Sequence, residues 1–595
     1  MPALLPPALP ARALVAAALG AALALGALAG APTSSAGTTA ACPSAGRAAD
    51  RTVPLEEAVD GAAGLAAVGR SSGLDTTTLR HLAGDGTARL DGCGRVLVVD
   101  HAAPPADRVA VDRTTAAVPD DVFALSSRPS SPRTLYLDFD GATYSGTAWE
   151  GGATIESPPY SVDADTTTLT ATERAQVFLA WRSVAEDFAP FDVNVTTQVP
   201  AAGALTRTGS ADPTYGTTVV VTSTNTVGAG CGCGGQAYVD VFDGVNAQRY
   251  QPAWVFTAGS GTGGYNVGQV VSHEAGHTFG LTHDGTSTKD YYQGASGWGP
   301  IMGASYGRRA SQWSRGEYAD ANNTQDDLAV LAGVAPLVAD DQAGPPTPLV
   351  PDVPVAGLVT SRTDSDTFAF LAAGPTTLAV TGPPDVSDLD VLLTVLDADG
   401  RVVATVDPTA ASATDESLDA TWAADLPATE AAYTAVVDGT SHGDPAAPGG
   451  YSDYGSIGSY TVMLTTAAGP ITTTPTTPTS PTPVPTPVAT PTPTPTTTPT
   501  STPTGTRTGP VVAFTTDRLP RARSGARYRA AIGFRGPVLE ARVWLSLPRG
   551  LRWRVRGERL VVAGRLHGRG TRHLTAELLS TDGTSVRRTF RIVVR

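Results

Sequence analysis

Apolar residues recur along this chain in two rhythms, and the change of rhythm marks its regions. Behind Thr170-Ala171-Thr172-Glu173, a capping box, Val177, Phe178, Trp181, Val184, Ala185 and Phe188 fall on one face of a predicted helix that Pro190 closes. A second helix is predicted from Asn266 through Val267, Val270 and Val271 to Gly280. Short apolar runs at 135–139, 191–197, 217–222, 237–242 and 253–257 read as strands, and Asn323-Thr324-Gln325-Asp326-Asp327-Leu328 caps a last helix ending near Val334. Upstream, 55–68 predicts a short helix and 94–99 a strand. Downstream, residues 340–466 and 511–595 alternate apolar and polar positions between Gly, Pro and Asp turns, the two-residue period of strands.

A chain of 595 residues exceeds what one core can serve. Charged residues are 16%, below the usual quarter or so, which favours an extracellular chain rich in β-structure and linkers. Residues 1–36 read as a secretory signal: Arg12, a small-residue apolar run from Ala13 to Ala31, then Ser34-Ser35-Ala36 for cleavage. The alternative is an uncleaved anchor, but the run is weakly apolar, so export without stable membrane insertion after signal cleavage is expected. Residues 37–132 read as a propeptide with its processing region at 119–132, 133–336 as an α/β domain, 340–466 as a β-sandwich and 467–510 as an extended Thr/Pro linker.

Charge separates the last module from the rest. Residues 511–595 hold nineteen arginines and no lysine against five acidic residues, about +14, while the whole chain stands at −15. An anionic cell-surface polymer is one expected partner, and a solvated basic surface the alternative. Stacking aromatics are few, so no specific nucleic-acid partner is expected.

Export permits disulfides, and the four cysteines fall in two sets: Cys42 with Cys93, and Cys231 with Cys233. Pairing within each set is the simplest of three connectivities. For Cys93, in Asp91-Gly92-Cys93-Gly94-Arg95, a role as a thiol blocking a metal stays open beside the disulfide.

Three of the eight histidines, His273, His277 and His283, lie within eleven residues. His273 and His277 are four apart, so on a helix both imidazoles share a face and reach one ion. Three imidazoles and an open position suit catalytic zinc. Glu274 is placed to take a proton without being a ligand. Gly280 lets the chain turn left-handed, end the helix and return His283 as third ligand.

The run His273-Glu274-Ala275-Gly276-His277-Thr278-Phe279-Gly280-Leu281-Thr282-His283 resembles the metzincin pattern, and Asp284 after it resembles the reprolysin (adamalysin-like) branch. Ile301-Met302-Gly303 resembles that family's Met-turn. The resemblance implies a zinc metalloendopeptidase acting on protein or peptide substrates. The implied catalytic fold is an α/β mixed twisted sheet plus zinc helix, carrying two C-terminal all-β sandwich domains. It implies Met302 beneath the ligands and an antiparallel edge strand at 236–242 that pairs with extended substrate. Some members place a tyrosine two residues after the methionine; here that position is Ala304, with Tyr306 two residues further on. Asp364-Ser365-Asp366-Thr367-Phe368 and Gly458-Ser459-Tyr460-Thr461-Val462 resemble bacterial pre-peptidase C-terminal domains, and Leu547-Pro548-Arg549-Gly550-Leu551 resembles Ig-like modules of bacterial surface proteins. Ca2+ is a further candidate, at Asp138, Asp140, Asp163 and Asp165, since calcium takes oxygen ligands. A surface adhesin with a vestigial enzyme domain is the rival reading, and the intact Glu274 argues against it.

Overall fold

The computed structural model describes residues 52–105, 107–108, 116–163, 165–295, 297–407, 418–467 and, with short gaps, 513–595. The expected signal at 1–36, Cys42 and residues 468–510 of the expected linker lie outside the described residues. Residues up to Thr476 form one compact unit and those from Thr477 a second.

The first unit is built on an eight-stranded mixed sheet. In chain order its strands are β1 (Val53–Pro54), β2 (Ala88–Leu90), β3 (Val96–His101), β4 (Arg133–Asp138), a small outlying pair β5 (Ala142–Tyr144) and β6 (Ile155–Ser157), then β7 (Asn194–Thr196), β8 (Tyr215–Thr222), β9 (Cys233–Tyr238) and β10 (Ala253–Phe256). Across the sheet the order is β1-β2-β3-β9-β10-β8-β4-β7. The strands β10, β8, β4 and β7 run parallel to one another, while β9 is antiparallel to β10 and β3 antiparallel to β9.

Side-chain alternation gives the sheet two faces. Leu135, Leu137, Val219, Val221 and Val255 point to a core with Val177, Ala180 and Val184 of the helix Ala171–Asp187 and Val267, Val271 and Ala275 of the helix Gly264–Phe279. Val220, Trp254, Phe256 and Tyr238 point the other way, against Trp149 and Tyr250. The expected capping box is present: Thr170 Oγ1 accepts from Glu173 N, and Glu173 accepts from Thr170 N. The helix Gly264–Phe279 is buried at every residue, so its polar side chains are held inside the protein.

Two predicted strands are shorter or shifted. Of 191–197 only Asn194–Thr196 forms a strand, with Phe191 in an isolated bridge to Leu337. The strand expected at 237–242 runs instead over Cys233–Tyr238. Beyond it Asp240 takes a left-handed φ of 57°, and the next amides turn to the end of the helix Gly264–Phe279. Asp240 N donates to His277 O, and Val241 N and Phe242 N donate to Thr278 O. Terminal helix carbonyls that lack intrahelical donors claimed these amides, which a strand would have used in its ladder.

The stretch 119–132, expected as a processing region within the propeptide, is largely built into the core under the eight-stranded sheet. Val122 and Leu125 are buried there, Leu125 N donates to Thr197 Oγ1, and Thr196 Oγ1 donates to Leu125 O. Residues 52–105 have a core of their own, with Leu55, Leu65, Val68, Leu79, Leu82, Val96 and Val98 meeting Val239 of the next region.

Residues 347–465 form two packed sheets of five and four strands around Phe368, Phe370, Leu378, Leu393, Val437 and Val462. This sandwich docks on the eight-stranded-sheet domain through Tyr454, whose hydroxyl donates to Asp326 Oδ1 at 2.7 Å, and through Trp298 stacked on Tyr451. Glu186, at the end of the helix Ala171–Asp187, accepts from Ser459 N at 2.7 Å. Burial pushes its carboxyl up to about 8, against the help of the Ser459 amide. An acid raised on folding keeps its proton between its unfolded and folded pKa while the unfolded chain releases it, so this group lowers stability as pH rises through roughly 4.5 to 8. Glu186→Gln should therefore flatten the pH dependence of the melting temperature over that window, as measured by thermal unfolding from pH 5 to 8.

The second unit carries two smaller sheets around Ile532, Leu560, Val562, Leu574, Leu578, Phe590 and Ile592.

Candidate metal centre

The helix Gly264–Phe279 places His273 and His277 one turn apart on a buried face. Gly280 then takes a φ of 106° and its amide bonds His277 O, which ends the helix. A side chain there would be strained. The reversed chain brings His283 to the other two, and the His277 and His283 Nε2 atoms lie 3.1 Å apart.

Hydrogen bonds settle which ring nitrogens face inward. His273 Nδ1 lies 2.8 Å from Ile301 O, and His277 Nδ1 lies 2.9 Å from Leu281 O. A carbonyl only accepts, so each Nδ1 carries the hydrogen and each Nε2 turns a lone pair inward. His283 Nδ1 lies 3.1 Å from Asp85 Oδ2, a carboxylate partner of the kind that orients a metal-binding imidazole. Met302 is wholly buried beneath the helix, with its Sδ 2.6 Å from where a Cβ on Gly276 would stand. Met302 thus packs against the backbone of the site helix at Gly276.

A fourth group completes the cluster. Asp100 Oδ2 is 3.2 Å from His273 Nε2 and 3.3 Å from His277 Nε2, and Asp100 Oδ1 is 2.9 Å from His283 Nε2. Tyr291 donates to Asp100 Oδ1 at 2.7 Å, with its ring 4.3 Å from that of His283. Burial opposes the charge on Asp100, but His283, His273 and His277 outweigh it and hold the carboxyl well below the usual range. Burial likewise opposes a proton on His283, yet Asp100 and Asp85 push it up to about 9, whereas burial drives His277 down to about 4.

The donor set tests whether a metal fits. Asp100, His273, His277 and His283 offer ligand atoms within 4.8 Å of one another, all buried. Inward lone pairs 3.1 Å apart repel unless a cation or a shared proton lies between them. His273 Nε2 and Asp100 Oδ2 have no hydrogen-bond partner despite their burial. Three imidazoles and a carboxylate form a compact set suited to zinc. The residues fit.

Glu274 lies beside the cluster, wholly buried, with neither carboxylate oxygen hydrogen-bonded. Burial, then the neighbouring Asp100, pushes its carboxyl well above the ordinary range. Gly235 on β9 makes room for it, since a Cβ there would stand 1.9 Å from Glu274 Oε1. Next to Glu274 and His273 opens a cavity of about 190 Å³, walled by Val270, Ile301, Ala304, Ser305 and Tyr306. Tyr306, whose role the sequence left open, thus faces the cavity.

Other expectations fall differently. Cys231 and Cys233 are disulfide-bonded to each other. Cys93 is also disulfide-bonded, so it offers no thiol to the metal centre, and Asp100 from the same segment stands there instead. Among the described residues the four aspartates considered for calcium form no group of three, and three of them serve their own loops. Asp138 accepts from Gly141 N and Tyr144 Oη, Asp163 from Asp165 N, and Asp165 from Thr167 N. Asp100, Asp85 and Tyr291 are missing from the residues singled out by sequence. The only hint was the apolar run 96–99 ending on Asp100 and His101, and a glycine- and aromatic-rich loop containing Tyr291.

Residues 144–314 match the family model Reprolysin_5, metallo-peptidase family M12. No curated protein matches the chain. Solved structures similar to parts of it include an endo-fucoidan hydrolase from glycoside hydrolase family 107, at 14% identity over 15% of this chain and 17% of that one, with a TM-score of 0.14. The chain therefore spans about a sixth of that hydrolase's length. The titin M3 domain is 18% identical over 15% of this chain and 99% of its own, with a TM-score of 0.13. The pre-peptidase C-terminal domain of a collagenase from Bacillus anthracis is 12% identical over 21% of this chain and 99% of its own, with a TM-score of 0.14. At such TM-scores these likenesses carry no argument.

Proposed function

We propose that this chain, a metallopeptidase of the M12 type over residues 144–314, is a secreted zinc endopeptidase that uses Glu274 as its general base. The observation that carries the reading is the convergence of three buried inward-facing Nε2 atoms beside a buried carboxylate with no partner.

His273, His277 and His283 would hold the zinc, which supplies Lewis-acid polarisation of a peptide carbonyl and makes a water acidic enough to react near neutral pH. The chain's own residues do the rest. Ile301 O and Leu281 O fix the tautomers of His273 and His277. Glu274 takes the water's proton and passes it to the leaving amine, so that each turnover returns the carboxylate to its starting state. The cavity beside it, with Val270, Ile301 and Ala304 as its apolar walls, accepts one substrate side chain and sets preference there.

A mixed sheet with the buried site helix packed against it supports this reading. The module at 511–595 is proposed to attach the enzyme to an anionic surface polymer, on its charge of about +14. The experiment for the main reading is digestion of a peptide library with metal bound and with metal removed. Internal cuts dependent on metal support it, and trimming from chain ends alone would reject the endopeptidase assignment.

A further inference from the structure

We infer that the hydroxyl of Tyr291 is a catalytic hydrogen-bond donor at the metal centre, placed to hold the oxyanion that forms on the scissile carbonyl. The inference rests on the metallopeptidase reading above and adds a residue to that same reaction.

The carboxylate of Asp100 marks where the oxygens of a reacting group stand. It puts two oxygens on one carbon, as does the tetrahedral carbon left when water adds to a peptide carbonyl. Oδ2 lies 3.2 Å and 3.3 Å from the Nε2 atoms of His273 and His277, and Oδ1 lies 2.9 Å from that of His283. The strand expected as a substrate edge at 236–242 is an inner one here: β3 lies antiparallel beside β9, with Asp100 level with Gly235. Asp100 thus reaches the centre as a side chain and presents no peptide bond there.

The two oxygens differ in their partners. Oδ1 accepts the Tyr291 hydroxyl at 2.7 Å, while Oδ2 has no hydrogen-bond partner. A carboxylate only accepts, so the tyrosine donates. In the reaction a C–O bond forms, the carbonyl electron pair moves onto its oxygen, and the water's proton goes to Glu274. The former carbonyl oxygen then bears the charge and needs a donor, which Tyr291 supplies at one of the two oxygen positions. When the C–N bond breaks, that electron pair re-forms the carbonyl, and Tyr291 keeps its proton throughout.

Packing holds the hydroxyl in place. Tyr291 comes from the loop after His283, and its ring lies 4.3 Å from that of His283 and 6.1 Å from that of His273. Next to it, Tyr292 N donates to Asp284 O and Ala304 N donates to Tyr292 O, each at 2.8 Å. Tyr292 stacks on Tyr318 at 4.6 Å, and the Tyr318 hydroxyl donates to Gly285 O at 2.7 Å. The loop is therefore tied to the chain just behind His283 and just behind Met302. Tyr291 also lines the cavity beside His273 and Glu274, where a bound peptide would meet it.

The test compares Tyr291→Phe with the parent in the activated enzyme, processed so that Asp100 has left the centre. Phenylalanine keeps the ring on His283 and removes the hydroxyl alone. Two probes of one peptide sequence read the site without turnover: a phosphinic peptide, whose tetrahedral phosphorus carries two oxygens, and a thiol peptide, whose sulfur brings no oxygen. By calorimetry the variant should bind the phosphinic peptide at least ~10-fold more weakly and the thiol peptide equally well, with its zinc content unchanged. Its kcat should fall by roughly a hundredfold at nearly constant KM, the pattern of a contact made only in the transition state. Equal weakening of both probes, or a kcat within about threefold of the parent, would overturn the assignment and leave the hydroxyl as a tether for Asp100. The peptidase reading fails separately. If the parent cuts no internal peptide bond while the phosphinic probe alone loses affinity in the variant, the donor stands and that reading falls.

Discussion

Glu274→Ala in the activated enzyme is expected to lower peptide hydrolysis by roughly a hundredfold or more while metal content stays unchanged, since a positioned base is typically worth 10²–10⁴ in rate. The argument is geometric. Glu274 sits one residue past His273 on a helix, so its side chain leaves the histidine face and ends beside the cluster rather than in it. Its two oxygens bond to no other residue, so no structural hydrogen bond is lost with them. Hydrolysis within tenfold of the parent, assayed alongside metal content on the same sample, would assign the base elsewhere.

The second large effect separates ligand from base. His277→Ala is expected to lose both metal and activity, and to unfold at a lower temperature. His277 is wholly buried, its Nδ1 is committed to Leu281 O, and its Nε2 lies among the other donors. Removing it leaves two imidazoles, too few to hold the ion against water, and metal binding that is lost is stability lost. Metal analysis with thermal unfolding, each with and without added zinc, checks this. A variant that keeps one equivalent of metal would show that His277 is not a ligand.

The contrast between these residues and Asp100 explains what the sequence could say. His273, Glu274, His277, Gly280 and His283 are legible because helix geometry turns spacing into proximity within eleven residues. Met302 was legible as a motif, and the structure gives its reason in the contact with Gly276. The capping box at Thr170 was likewise local. Asp100 and Asp85 act on His283 across 183 and 198 residues, and no local rule connects positions so far apart. The displaced strand at Cys233–Tyr238 failed for a related reason. Apolar alternation continues to Phe242, but the carbonyls of His277 and Thr278 compete for the amides of Asp240, Val241 and Phe242 and win them. Cys93 shows the limit of composition: a cysteine near a metal centre invites a thiol reading, and its disulfide removes it.

The same physics ties the sandwich to the enzyme. Glu186 and Asp187 end the helix whose Ser183, Val184 and Ala180 support the site helix, and Ser272, next to His273, donates to Asp187 Oδ2. Burial raises Asp187 to about 7, so the acids at this junction hold protons that exposed carboxyls would have released. The docking of the sandwich is thus continuous with the support of the histidines.

The most direct test of the central claim is metal removal and return on the activated protein. Dialysis against a chelator should abolish cleavage of internal peptide bonds, and one equivalent of zinc per chain should restore it in proportion to the metal taken up. Full hydrolysis by metal-free protein, or recovery that bears no relation to zinc bound at His273, His277 and His283, would contradict the account.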